Sequence, residues 1–92
     1  MKNQNPIKIF IVEDNKAFAL ELQADLETTF EKKPIQVHSF ITGETCMIKF
    51  KEVKPDVVIL DYHLNSKFLD AADGIKVLDW IKKESPETSV LM

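Results

Sequence analysis

Three carboxylate residues follow two predicted strands at the points where those strands end. Glu13 and Asp14 come directly after the apolar run Ile7–Val12, and Asp61 comes directly after the run Val57–Leu60. If these strands are neighbours in a parallel sheet, their carboxyl ends meet at one edge, where open α/β folds collect ligands. Like charges gathered there repel one another unless protons or a cation balance them. An oxygen-only cluster suits Mg²⁺, so these three residues are candidates for a magnesium site.

A second interpretation of the same acids stays open at this stage. Acidic residues after a strand often serve as helix caps or as solvated turn residues. Asn15, the next residue, already supplies a cap for a following helix. Spacing alone does not decide between a metal site and an ordinary turn.

The rest of the chain alternates short strands with amphipathic helices. The predicted elements are a strand over Ile7–Val12, a helix capped by Asn15 and closed by Pro34, a strand over Ile35–Phe40, a helix from Thr42 through Phe50, a strand between Asp56 and Asp61, a helix over Ile75–Glu84 and a strand over Thr88–Met92. The strand between Asp56 and Asp61 holds four consecutive apolar residues, which is typical of a strand covered on both faces. This order predicts a parallel sheet with right-handed crossovers and helices on both faces.

Several side chains are expected to pack inside this α/β layer structure. Apolar residues recur every four positions along one stripe of the first helix: Phe18, Leu22, Leu26 and Phe30. In the third helix the inward residues are Val77, Leu78 and Ile81, and Trp80 lies off that stripe. Cys46 is expected to be a small core residue, and His38 an ordinary partly buried or surface histidine.

Composition limits the classes of function. Ninety-two residues suffice for one domain, and the net charge is −3. All 12 basic residues are Lys, which argues against nucleic-acid recognition. Two glycines exclude a glycine-rich dinucleotide fingerprint and a P-loop. One cysteine forms no internal disulfide, and no apolar run is long enough for a signal peptide or a membrane span, so a cytoplasmic location is expected.

Three segments together carry a family resemblance. The segments are Ile9–Asn15 (IFIVEDN), Pro55–Leu64 (PDVVILDYHL) and Asp73–Ile75 (DGI). They resemble the receiver domain of bacterial two-component response regulators, and the resemblance covers nearly the whole chain from Ile7 onward. It implies a flavodoxin-like sheet with strand order 2-1-3-4 over the strands present and helices on both faces.

The resemblance also implies a role for each residue of the site. Asp61 would be the phosphoacceptor, receiving a phosphoryl group from a sensor histidine kinase or a phosphotransfer protein. Asp14 would be a direct Mg²⁺ ligand, and Glu13 would assist through metal-bound water. The backbone carbonyl of His63 would supply another metal oxygen. Such a domain catalyses at most its own phosphorylation and dephosphorylation, so it is not expected to be an enzyme in the usual sense.

The sequence departs from the family pattern in two ways. The loop Tyr62–Asp73 is longer than usual, and its Phe68 and Leu69 either belong to a tolerated surface insertion or shield the site and contact a partner. The chain is also expected to be a single incomplete receiver domain over residues 1–92, ending within the fourth strand. The fifth strand, the last two helices and any output domain would then be missing, together with the family's hydroxyl residue after strand four and its lysine after strand five.

These features leave more than one function open. The leading hypothesis is a signal-transduction receiver with Mg²⁺-dependent phosphorylation of Asp61, controlling a downstream output. The alternative is a phosphorylation-incompetent, receiver-like interaction module that acts by protein contact alone. A small Mg²⁺-dependent phosphatase is the weakest candidate, because no second nucleophile or general acid is evident beside Asp61. The uncharged segment Ser89–Met92 is expected to form an exposed edge that invites self-association, with no membrane contact and no direct binding of nucleic acid.

Overall fold

A computed structural model of the chain describes residues 5–61 and 74–92. Seven elements follow one another in these residues: β1 (Ile7–Val12), α1 (Lys16–Thr29), β2 (Ile35–Phe40), α2 (Gly43–Val53), β3 (Val57–Leu60), α3 (Gly74–Glu84) and β4 (Ser89–Leu91). Their order and type confirm the sequence prediction. Most bounds differ by a residue or two, as at α3, which begins at Gly74 rather than Ile75. The larger differences are at α2, which runs three residues past Phe50 to Val53, and at α1, which ends at Thr29, ahead of Pro34. Such shifts are ordinary at element ends.

The four strands form one parallel sheet in the order β2-β1-β3-β4. β1 is central and pairs with β2 on one side and with β3 on the other, with Ile11 opposite both Ser39 and Ile59. β4 lies beyond β3, where Val58 is opposite Val90. The predicted flavodoxin-like order 2-1-3-4 is therefore confirmed.

Helices lie on both faces of the sheet, and the two faces are packed unequally. The face under α2 and α3 holds the main core, in which Phe10, Val58 and Leu60 are at most 1% exposed. Cys46 and Phe50 of α2 and Val77 and Ile81 of α3 complete this core. On the opposite face α1 packs over β1 and β2. The β3 residues on that face, Val57 and Ile59, are only half-buried, so β3 is less covered there than predicted.

Aromatic rings connect the elements of the main core. Phe10 of β1 contacts His38 edge-on at a centroid distance of 5.5 Å and lies 4.8 Å from the ring of Phe40. Phe50 meets Phe10 at 6.2 Å and Trp80 at 5.4 Å, both edge-to-face. Edge-to-face pairs of this kind add stability beyond the buried area. The chain of rings joins β2, β1, α2 and α3.

Polar side chains and one unusual backbone conformation set the helix ends. Asn15 caps α1, because its Oδ1 accepts a hydrogen bond from the backbone N–H of Phe18 at 3.1 Å. Thr42 caps α2 in the same manner, accepting from the N–H of Thr45 at 3.2 Å. α2 ends at Lys54, which adopts a left-handed backbone with φ of 56°. That conformation is costly for a residue with a Cβ.

The apolar stripe predicted for α1 is only partly buried. Phe18 is 54% exposed, whereas its neighbour Ala19 is 4% exposed. The reason is geometric: residues four apart are rotated by about 40° around a helix, so a four-residue repeat drifts off the buried face. None of the helices within residues 5–61 and 74–92 is long and apolar enough to cross a membrane.

Candidate metal centre

The candidate site lies at the carboxyl edge of the two central strands. Glu13 follows β1 and Asp61 follows β3, and these strands are neighbours in the sheet. Glu13, Asp14 and Asp61 each offer a carboxylate oxygen, and the three oxygens lie within 4.8 Å of one another. The structure thus brings together the three acids that the sequence singled out.

Backbone hydrogen bonds position two of these residues firmly. The N–H of Asp61 donates to the carbonyl of Val12 at 3.0 Å, and the N–H of Glu13 donates to the carbonyl of Phe40 at 2.9 Å. Both bonds extend the sheet pairing past the end of the strands. Glu13 and Asp61 are therefore attached to the ends of hydrogen-bonded strands, and sites built on strands are positioned more precisely than sites on loops.

Asn15 separates the acids from the helix that follows them. Its side chain occupies the N-cap of α1, while its backbone N–H donates to Oε2 of Glu13 at 3.1 Å. Neither Glu13 nor Asp14 is therefore the cap of α1, and the capping interpretation of these two acids is set aside. Nothing in the sequence pattern indicated the bond between Asn15 and Glu13, because it depends on the turn geometry.

The three acids differ in their exposure to water. Glu13 is 9% exposed, Asp61 is half-buried and Asp14 is exposed. Burial raises the pKa of Glu13 above its usual value, and the hydrogen bond from Asn15 opposes that rise. The nearby charge of Asp61, a hydrogen bond between the two carboxyl groups and the charge of Asp14 raise the pKa further. The site favours a proton or a cation next to Glu13.

The donor set has the chemistry of a hard-cation site. Within residues 5–61 and 74–92, the cluster offers three carboxylate groups and neither a nitrogen nor a sulfur ligand. Such ligands suit Mg²⁺, which binds a few carboxylates and keeps several waters. His63 lies outside the described residues, as does the whole loop Tyr62–Asp73 with Phe68 and Leu69, so the sequence expectations for them stay predictions.

An apolar cleft lies directly beside the acids. It has a volume of about 390 Å³, and its lining includes Phe18, Leu22 and Met92 together with Glu13 and Asp61. This cleft was not predicted, because the apolar repeat of α1 indicates a buried Phe18. The signal that could have found it is the drift of a four-residue repeat around the helix.

Comparison with known proteins agrees with the fold. A family described as "Response regulator receiver domain" matches residues 9–92 of the chain. The sheet order and the acids at its carboxyl edge thus fit an α/β signalling domain of the receiver class. The chain belongs to the receiver-domain family of two-component response regulators. A receiver domain is a signalling module rather than an enzyme with a separate substrate.

One relative and two solved structures illustrate the extent of the likeness. The response regulator VraR of Staphylococcus saprophyticus is 27% identical over 93 residues, covering 95% of this chain and 38% of VraR. The signal receiver domain of a modulated diguanylate cyclase from Desulfovibrio desulfuricans superposes with a TM-score of 0.73 at 22% identity, covering 95% of this chain and 62% of that one. RcsB of Salmonella enterica, solved on promoter DNA with the phosphomimetic BeF₃⁻, superposes with a TM-score of 0.74 at 20% identity. The match covers 94% of this chain and 41% of the RcsB chain. The two structures support the fold alone, and the chain spans well under half the length of VraR.

Proposed function

We propose that this chain is a phosphoacceptor module that receives a phosphoryl group on Asp61 in a Mg²⁺-dependent reaction. The donor in this proposal is a sensor histidine kinase or a phosphotransfer protein, and the phosphorylated form controls a downstream output. The observation that carries the proposal is the convergence of the Glu13, Asp14 and Asp61 carboxylates within 4.8 Å in a member of the receiver family. The buried, unpaired thiol of Cys46 fits a reducing compartment, so we place the reaction in the cytoplasm.

The proposed chemistry is an in-line transfer between two nucleophiles. A carboxylate oxygen of Asp61 attacks phosphorus, a P–O bond forms, and the P–N bond to the donor imidazole breaks. The imidazole nitrogen keeps the electron pair of that bond and takes up a proton, leaving an acyl phosphate on Asp61. In the later dephosphorylation step, water attacks phosphorus and the acyl P–O bond breaks, which restores the carboxylate and releases phosphate. Positioning and charge neutralisation supply most of the catalysis in such transfers.

Each acid has a separate task in this proposal. Asp14, Asp61 and the carbonyl of His63 would hold the ion directly, and Glu13 would hold it through bound water. When bound, Mg²⁺ would neutralise the crowded carboxylates and orient the phosphoryl group for attack by Asp61. The hydrogen bond from Asn15 orients the Glu13 carboxylate, and the backbone bond from Asp61 to Val12 keeps the acceptor at the sheet edge.

A pair of aspartates at opposite ends of β3 provides the test. Asp61 follows β3, and Asp56 precedes it with its Oδ2 accepting a hydrogen bond from the N–H of Lys8 at 2.9 Å. The wild type, D61N and D56N are incubated with Mg²⁺ and a small acyl phosphate, and intact mass is measured. We expect one added phosphoryl group on the wild type and on D56N, and none on D61N or without Mg²⁺.

A stable phosphomimetic gives an independent readout of the same site. BeF₃⁻, which serves as a phosphomimetic in the RcsB structure, is titrated with Mg²⁺ into the same three proteins. Saturable binding by the wild type and D56N, with none by D61N, is the expected result. A wild type that neither gains a phosphoryl group nor binds BeF₃⁻ contradicts the proposal, as does equal labelling of D61N.

A second candidate is an interaction module that works by contact alone, and exposed apolar side chains favour it. Leu91 of β4 and Met92, which follows it, are 57% and 51% exposed, and Phe18 beside the acids is 54% exposed. We propose that copies of the chain associate through the Ser89–Met92 segment. Sedimentation at rising concentration tests this, because a strictly monomeric protein at high concentration contradicts it.

A further inference from the structure

β2 lies at an edge of the sheet, and among the described residues its backbone is paired on one side alone, with β1. The N–H of Glu13 donates to the carbonyl of Phe40 at 2.9 Å, so Phe40 faces β1. Because the backbone groups of successive strand residues point to opposite sides, those of Ile35, Val37 and Ser39 point outward. We call this row of outward N–H and C=O groups the β2 edge.

The sequence of β2 contains nothing that blocks strand pairing at this edge. Edge strands usually carry lysine, proline or a bulge that discourages another strand from adding to the sheet. β2, Ile35–Phe40, holds no lysine, no acidic residue and no proline. It also pairs with β1 in unbroken register over all six residues. The β2 edge can therefore accept a further strand through main-chain hydrogen bonds.

An exposed leucine of α1 lies on the same side of the molecule as the β2 edge. Phe18 and Leu20 lie about 100° to either side of the buried Ala19 on the helix. Phe18 lines the cleft together with Ile59 of β3, so Leu20 lies on the opposite flank of α1, toward β2. Leu20 is 64% exposed, and Val37 on the same face of β2 is half-buried. Apolar side chains therefore border the β2 edge on the α1 face of the sheet.

Charges of both signs border the β2 edge on the α2 face of the sheet. Lys49 and Lys51 lie about 100° to either side of the buried Phe50. Lys51 lines a hollow together with Glu84 at the end of α3, so Lys49 lies on the opposite flank of α2, toward β2. Lys49 forms an ion pair with Glu52 at 3.3 Å, and both side chains are exposed to solvent. This flank of α2 thus presents one positive and one negative charge side by side.

We propose that the β2 edge is an interface at which β2 of a second copy of this chain pairs antiparallel, about a two-fold axis at Val37. In that register the Val37 residues of the two copies are opposite each other, and Ile35 of each copy is opposite Ser39 of the other. The outward N–H groups of both copies then find carbonyl acceptors. The contact is isologous, so each copy offers the other the same row of donors and acceptors.

The flanks of the β2 edge favour a second copy as the partner. Antiparallel pairing brings the Lys49–Glu52 pair of one α2 beside that of the other in reversed order, so opposite charges meet. On the other face, the same pairing covers Leu20 of both copies. β2 lies at the opposite edge of the sheet from β4, so this interface is distinct from the Ser89–Met92 segment. It is a property beyond the proposed function and requires no phosphorylation.

Amide hydrogen exchange resolved by NMR tests the pairing directly. The N–H groups of Ile35, Val37 and Ser39 should exchange fast in dilute protein and slow by about tenfold or more as the protein concentration rises. The N–H groups of Gln36 and His38 face β1, so they should be protected at every concentration and serve as an internal control. Exchange at the three outward amides that does not change with concentration, in a protein that associates, overturns the proposal.

Matched variants test the interface independently. Leu20→Lys charges the α1 flank, and Ile48→Lys charges a position of α2 that is 68% exposed and lies away from the buried Phe50. Because both side chains are already exposed, neither change is expected to unfold the chain. Sedimentation equilibrium should show that Leu20→Lys weakens self-association about tenfold or more, since an apolar contact is lost in each copy, and that Ile48→Lys does not. Ser39→Pro should weaken it as well, because proline removes an outward N–H that the single chain does not use.

The outcomes separate the β2 interface from the proposals that precede it. Protection that rises with concentration in Ser89–Leu91 and not in β2 overturns the β2 interface and supports association through the Ser89–Met92 segment. Equal association of Leu20→Lys and Ile48→Lys also overturns the β2 interface. A chain that stays monomeric at all concentrations overturns both modes of association. None of these readouts uses phosphorylation of Asp61, so failure here leaves the phosphoacceptor proposal standing.

Discussion

Asn15 donates its backbone N–H to Oε2 of Glu13 at 3.1 Å while its own side chain caps α1. One residue thus links the buried carboxylate of the site to the start of the first helix. The bond holds one oxygen of the Glu13 carboxylate in place. The conformation of Asn15 therefore affects both the position of the Glu13 carboxylate and the start of α1.

Glu13 makes the stability of the metal-free protein depend on pH. Its pKa is raised in the folded state, so the folded protein binds a proton more tightly than the unfolded chain does. The contribution of Glu13 to stability is therefore expected to fall as pH rises from about 4.5 through the raised folded pKa. Glu13→Gln removes the buried charge, so its melting temperature without Mg²⁺ should exceed that of the wild type at neutral pH and converge with it in acid.

Magnesium supplies the control for this pH effect. Mg²⁺ should raise the melting temperature of the wild type at neutral pH, because the cation offsets the repulsion among the carboxylates. The rise should be smaller in Glu13→Gln. In the absence of metal, a melting temperature that rises with pH more steeply in the wild type than in Glu13→Gln would contradict the assignment of Glu13.

Removing the cap at Asn15 should destabilise the protein. Asn15→Ala deletes the Oδ1 acceptor for the N–H of Phe18, and loss of such a cap costs about 1 kcal/mol. Urea denaturation measures the change in the free energy of unfolding. Asn15→Ser is the matched control, because its hydroxyl accepts the same bond, and it should retain most of the stability. Equal losses in the two variants would show that the cap is not the cause.

Lys54 offers a stabilising change. Its φ of 56° places it in the left-handed region, where glycine has no Cβ penalty. Lys54→Gly should therefore stabilise the protein by up to about 1 kcal/mol, as a glycine does at a helix C-terminus. Lys51→Gly, inside the last turn of α2, should instead destabilise by about 0.5–1 kcal/mol. Thermal melts of the two variants should shift in opposite directions.

Cys46 should resist thiol reagents in the folded protein. Its side chain is fully buried in the main core, and burial raises the pKa of the thiol to about 12. The reactive thiolate is therefore scarce and inaccessible at neutral pH. Modification by an aromatic disulfide reagent should be slow in buffer and fast in denaturing urea. Rapid reaction without denaturant would show that α2 opens from the sheet.

Local sequence patterns predict the elements well, because the signals for them are short-range. The capping residues Asn15 and Thr42 and the apolar run of β3 each mark an element that the structure contains. The convergence of Glu13 and Asp61 was predictable too. It requires only that β1 and β3 be neighbours, and parallel α/β topology supplies that condition.

Long-range features of the structure escaped prediction. Whether Phe18 is buried depends on how α1 is rotated on the sheet, and its exposure shows that the stripe drifts. The half-burial of Ile59 depends on where α1 crosses its face. The unpaired Nε2 of His38, buried among the described residues, depends on its distance from every neighbouring element. Periodicity along one segment carries no information on such relationships.

The aromatic contacts place the tryptophan fluorescence signal on one face of the sheet. Trp80, the single tryptophan, packs edge-on against Phe50 and so reports on the layer under α2 and α3. No described ring contact joins it to α1. Tryptophan fluorescence should therefore respond mainly to changes in packing around α2 and α3 and only weakly to local changes at α1. The fluorescence of Trp80 is therefore a natural probe of the core between the sheet and α2 and α3.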